Sequence, residues 1–184
     1  SAQYDLVYSG STGVDLTVTA ATSITGTILC RTGTISLGSG VTTAYAVTLN
    51  AGGIFTGGSG SHTMGTLSFA GAFTATSGTT TLVSRNTNAS NTVFNAASLG
   101  AFTHANGTVT VTQTAGTGVI TVSSYDVTFY NLTINSAATT QQFYSAGTRL
   151  VTVANNLTVT AGTLDTLYPA SASVNLTVTG VTLV

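Results

Sequence analysis

Apolar and hydroxyl-bearing residues alternate along most of this chain. Val109 and Val111 are interleaved with Thr108, Thr110 and Thr112, and Leu157 and Val159 with Thr158 and Thr160. A period of two sends successive side chains to opposite sides of a strand, so one side is buried and the other presents hydroxyls. Such runs recur at 16–20, 26–30, 33–38, 46–50, 65–71, 107–114, 118–124, 127–135, 150–162 and 175–184, punctuated by glycine, serine and asparagine. The pattern predicts short β-strands throughout and gives helix almost no place to start.

Short phrases repeat within these runs. Asp15-Leu-Thr-Val-Thr returns as Asn131-Leu-Thr-Ile-Asn, Asn156-Leu-Thr-Val-Thr and Asn175-Leu-Thr-Val-Thr, and Gly-Ala-Phe-Thr occurs at 71–74 and 100–103. The later copies of the first phrase are about 25 and then about 19 residues apart, the range of one coil of a β-solenoid. Coils of unequal loop length would explain the irregularity. The expected fold is all-β, a β-solenoid (parallel β-helix), with a β-sandwich or jelly roll as the alternative that evenly spaced short strands also allow. Residues 1–184 read as a single all-β domain with its clearest repeats in 64–184. Residues 52–60 are the most turn-like stretch and 83–95 the most polar. The stretch 135–149 interrupts two repeated phrases and reads as a projecting loop or a pair of weaker strands. Its Phe143, Tyr144 and Arg149 are candidate surface or interface residues.

Charge changes the picture more than length does. Arg31, Arg85, Arg149, Asp5, Asp15, Asp126 and Asp165 are all the charged side chains there are, 4% of the chain against a usual value of about 25%. Solubility must rest on hydroxyls and amides, with threonine supplying roughly a fifth of the residues. A net charge of −1 and the absence of any basic run argue against nucleic acid as a partner. Hydroxyl residues interrupt every apolar run, so no membrane insertion is expected. A chain opening at Ser1-Ala2 reads as a mature product or an excerpt of something longer.

Candidate chemistry is sparse. Cys30, alternating with apolar neighbours, is expected to be a small core residue and not a reactive thiol. His62 and His104 sit in turn-like contexts and are expected to be exposed loop histidines, too few for a metal site. Glycoside cleavage needs two carboxylates flanking one bond. Asp5 and Asp15 could meet across a hairpin, but each is more simply a turn or strand-end residue. No catalytic residue, metal ligand or cofactor is assigned. Asn88, Asn106, Asn131, Asn156 and Asn175 are sequons and candidate glycosylation sites. The asparagines of the Asn-Leu-Thr phrases also suit turn closure or an asparagine ladder. Threonines 17 and 19, 108 to 112, 158 and 160, and 177 and 179 would form hydroxyl ranks if coils stack in register. Such a surface could match ordered water.

The segment from Met64 to Asp165, above all VTFYNLTIN followed by LVTVANNLTVTAGTLD, resembles the repetitive β-solenoid surface proteins of filamentous-haemagglutinin-like adhesins and phage fibre or decoration proteins. The resemblance implies a right-handed parallel β-helix displayed outside the cell or on a virion, acting as stalk, fibre or contact surface. The expected function is a non-enzymatic structural or surface-display module of an extracellular fibre, adhesin or virion surface. Its partners would be copies of itself or other structural proteins of the same assembly, or glycans. The alternatives are a subunit of a self-assembling filament joined by strand donation through 4–10 or 177–184, and a glycan-binding or glycan-cleaving β-helix protein.

Overall fold

The computed structural model describes residues 5–10, 15–83, 91–96, 100–113, 116–122, 125–168, 174–180 and 182–183. It is an all-β solenoid of about six turns, with no helix among the described residues. In chain order the strands begin with β1 (Leu6–Ser9), β2 (Asp15–Val18), β3 (Thr22–Leu37), β4 (Thr42–Thr56), β5 (His62–Phe69) and β6 (Ala72–Thr74). They continue with β7 (Thr79–Val83), β8 (Asn91–Asn95), β9 (Ala101–Thr103), β10 (Thr108–Thr112), β11 (Thr117–Thr121) and β12 (Val127–Phe129). The last are β13 (Asn131–Tyr144), β14 (Arg149–Val153), β15 (Leu157–Tyr168), β16 (Val174–Val178) and β17 (Thr182–Leu183).

Every pairing among the described residues is parallel, which a hairpin-built sandwich could not produce. The long strands β3, β4, β13 and β15 turn a corner within themselves, where their register with the next coil shifts. Each coil thereby contributes to three faces. Column by column, the first face buries Ile24, Ala44, Met64, Leu82, Val111, Ile134 and Val159. The second buries Leu6, Ile28, Val47, Leu67, Phe94, Ile120 and Phe143. The third buries Leu16, Ile35, Phe55, Phe73 and Phe102, and then, in a separate three-stranded sheet, Phe129, Val153 and Val178.

Each coil covers the next one's apolar side, so one core cluster runs from Ile28 to Val174. At about 1.5–3 kcal/mol per fully buried large side chain, a single coil has too little to fold by itself. The stack is the unit of stability.

Three features depart from expectation. The repeated phrases do not all mark one coil: Leu132 pairs with Leu157 on the first face, whereas Asn175 pairs with Leu150 on the third. The shorter interval between the last two copies is therefore a step around the coil, not a coil. Coil lengths do vary, the shortest running from Met64 to Leu82 and the longest from Leu82 to Val111. By contrast the Gly-Ala-Phe-Thr copies are true rung mates, Phe73 pairing with Phe102.

Residues 135–149 do not project as a loop. Residues 135–144 continue β13 from the first face onto the second, 145–148 bend and Arg149 opens β14, and Phe143 closes the second-face column with no exposed surface. It is a core residue, not a surface or interface one. Residues 52–56, read as turn, are strand, with Phe55 buried. The turn is confined to 57–60, where Gly58 has φ +63° and a Cβ would strike the Leu37 carbonyl oxygen.

Candidate functional site

Stacking turns the period-two pattern into ladders of hydroxyls. On the first face the outward residues in register are Ser23, Thr43, Thr63, Thr81, Thr110, Thr133 and Thr158. Thr79 and Thr108 form a second rank beside them, extended by Asn131. On the third face Thr17, Ser36, Thr56, Thr74 and Thr103 line up, and Thr128, Thr152 and Thr177 line up in the neighbouring sheet. The Thr-x-Thr runs are thus divided between two faces. Other rungs come from strands outside those runs, such as Thr43, Thr63 and Thr133, which gave no such signal.

The faces differ in what surrounds these ranks. None of the charged residues falls in the strand segments of the first face. Beside the third-face ranks lie Ile54, Leu150 and Asp126, all exposed. The second face is mixed, its outward column passing through Val7, Leu29, Thr48, Ser68, Asn95, Thr121 and Tyr144. At the corner between first and second faces, Thr117, Thr140 and Thr163 stack in register and, with Gly116, Thr139 and Gly162, line an open polar groove.

Among the buried polar groups of the described residues, two sites join coils through their side chains most extensively. His62 is 1% exposed and not a loop residue. Its Nδ1 accepts the Thr42 N–H at 3.2 Å, which leaves Nε2 to donate to the Gly57 carbonyl at 2.6 Å. Burial holds its pKa below the usual histidine value, and the Gly57 bond partly offsets this. The ring ties one coil to the next while neutral.

The second site is an amide node. Gln141 Nε2 donates to Gln113 Oε1 and to Ser136 Oγ, each at 3.1 Å. Ser136 Oγ accepts the Gln113 N–H at 3.1 Å and donates to the Val111 carbonyl at 3.3 Å. Gly118 opposes them because a Cβ there would meet both glutamine carbonyl oxygens. Neither site was foreseen, although parity carried the signal: Leu132, Ile134, Ser136 and Val109, Val111, Gln113 are each spaced by two.

Tyr144 lies on the second face and Arg149 at the start of β14, both half-buried and both engaged with other groups. Cys30 is fully buried, with burial pushing its thiol pKa up and Sγ directed at the Gly33 carbonyl at 3.4 Å. His104 is half-buried in a turn, its Nδ1 accepting the Asn106 N–H at 3.0 Å and its ring stacked on Tyr130 at 5.6 Å.

Asp5 directly precedes β1 and Asp15 opens β2, and these strands run parallel to β3 on different faces, so no hairpin brings the two together. The Asp5 carboxylate instead accepts the Thr27 N–H at 2.7 Å, and Asp126 accepts the Leu150 N–H at 2.9 Å. Each substitutes for a backbone rung between coils.

Among the sequons, Asn88 lies outside the described residues. Asn106, at φ +59°, Asn156 and Asn175 are exposed. Asn131 is committed to a ladder: its Nδ2 donates to Thr108 Oγ1 at 3.3 Å, and its Oδ1 accepts from Asn155 Nδ2 at 2.9 Å and the Asn156 N–H at 3.2 Å.

Among the described residues no group of three or more histidine, cysteine, aspartate or glutamate side chains is placed to hold a metal ion. Comparisons with family models, curated proteins and solved structures find no match. What this chain offers chemically is a rigid stack with hydroxyl-bearing faces.

Proposed function

We propose that this protein is a non-enzymatic structural or surface-display module, a length of stalk or coat in an extracellular fibre, adhesin or virion surface. The observation that supports the reading is the parallel stacking of coils over about six turns. At about 4.8 Å per rung, such a stack is a rod segment of roughly 30 Å whose length, not a pocket, is its product. Its carboxylates support the same reading, since Asp5 and Asp126 are spent on neighbouring backbone N–H groups. Negative-stain imaging of the native particle tests it, with the chain expected inside an elongated fibre or a surface layer. Turnover of a polysaccharide that disappears in Asp126→Asn or Asp165→Asn would overturn it.

A second reading, a self-assembling filament, draws on the outermost strands. Among the described residues β1 pairs only with β3, leaving its other side to accept a strand from another copy. On this reading β1 serves as an acceptor edge as much as a donor. Removing residues 1–13 is expected to abolish polymers while leaving a folded stack. Unchanged polymers would end this reading.

A further inference from the structure

We propose that the first face is an ordered-water surface that adsorbs to ice. Its hydroxyl ladder, Ser23, Thr43, Thr63, Thr81, Thr110, Thr133 and Thr158, is held in register by backbone pairing on every rung. Sheet geometry sets the repeat at about 4.7–4.9 Å between rungs and roughly 6.6–6.8 Å between alternate residues of one strand. Thr108, Thr110 and Thr112 sample the second direction directly. In tetrahedral water with oxygens about 2.75 Å apart, second neighbours lie about 4.5 Å apart and the layered lattice repeats about every 7.3 Å. Both protein spacings fall within about a tenth of these values, close enough for a first hydration layer to absorb the difference.

Three further features select water over other partners. The face carries no charged side chain in its strand segments, so nothing on it needs a counter-charge. Threonine is stiff at its first torsion, which keeps methyl and hydroxyl positions repetitive from rung to rung. Protein partners draw their affinity from aromatic and arginine anchors in pockets; the ladder residues offer none, and the exposed Val41 and Tyr45 flank the ladder only at the Thr43 rung. The third face, with Ile54, Leu150 and Asp126 beside its threonines and a change of sheet partway along, lacks this regularity. The inference goes beyond the structural role and holds whether copies are free or assembled.

The test is partition of the purified chain into slowly growing ice, with ice recrystallisation as a second readout. The native chain is expected to enter ice. Thr110→Lys and Thr63→Lys, each confirmed as folded by circular dichroism, are expected to partition roughly ten-fold less or worse, and the third-face control Thr56→Lys as well as native. Exclusion of the native chain from ice overturns the proposal, including the case where it binds a crystalline polysaccharide instead. So does a folded first-face variant that behaves as native, or a Thr56→Lys loss of equal size.

Discussion

Beneath the third face, Phe55, Phe73 and Phe102 stack coil on coil, with ring centroids 4.9 Å apart for the first pair and 6.1 Å for the second. Phe69, Phe94 and Phe129 close around them. Two coils further along, Gln113, Ser136 and Gln141 join the same kind of neighbours through three bonds of 3.1 Å. The aromatic region relies on area and dispersion, which are non-directional. The amide node relies on donors and acceptors whose value depends on every partner being present. One region should therefore fail in proportion to the volume removed, and the other according to which half of a pair remains.

The largest effect is expected from Phe73→Ala. Phe73 is 1% exposed and touches Phe55, Phe69 and Phe102. Truncation removes the ring that joins three coils and leaves a cavity, costing about 3–5 kcal/mol. Denaturant unfolding should show a lower midpoint. A loss under about 1 kcal/mol would mean that the coils close over the gap, and that the aromatic region is not a packed column.

Next comes Gln141→Ala, at about 1–3 kcal/mol, because Gln113 Oε1 loses its donor inside the stack. The sharper form is a double-mutant cycle with Gln113→Leu and Gln141→Leu. Replacing both halves should cost less than the two single changes added together, with a coupling of about 0.5–3 kcal/mol. Additive losses would make the node behave like the phenylalanines and erase the contrast.

His62 adds a proton-dependent case. Its folded pKa is depressed below the ordinary 6.5, so between the two values the unfolded chain binds a proton that the folded chain does not. Stability is then complete above about pH 6.5, falls as pH drops through that value, and levels off below the folded pKa. Protonation would also remove the lone pair of Nδ1 that accepts the Thr42 N–H. Midpoints measured across this window should slope downward with acid in the native chain and lose most of that slope in His62→Gln. An equal slope in both would place the titration elsewhere.

The parts of this fold that were legible are those in which chemistry and parity agree. Threonine against valine in β10, and leucine against threonine in β15, announce a buried and an exposed side. The paired Gly-Ala-Phe-Thr phrases announce a rung. Where parity and chemistry disagree, chemistry misleads: His62, Ser136 and Gln141 look like surface residues but occupy inward positions, held there by hydrogen bonds to partners about a coil away, although Gln141 Oε1 finds no partner among the described residues. Phe143 was misplaced by its polar surroundings in Thr-Thr-Gln-Gln. Its inward spacing from Gln141 shows only once β13 is seen to turn the corner onto the second face. The outer ladders were legible as composition and not as geometry, because one threonine per strand becomes a rank only when the register between coils is known.

Tyr125 offers the smallest and most discriminating change, since it puts a polar group where the aromatic region has no answer for it. Its ring leans on Phe69 at 6.5 Å between centroids, while its hydroxyl is buried with no hydrogen-bond partner among the described residues. Burial drives its pKa well above the ordinary tyrosine value. Folding therefore strips water from the phenol without replacing it, a penalty of about 1–3 kcal/mol for an unsatisfied group. Tyr125→Phe keeps the ring and its contacts and removes the hydroxyl, so it should stabilise the chain by about 1 kcal/mol and raise the denaturation midpoint. Deleting an oxygen would then strengthen the aromatic region, whereas Gln141→Ala weakens the amide node. A destabilising Tyr125→Phe would reveal a partner for that hydroxyl and make the two regions more alike than their contacts indicate.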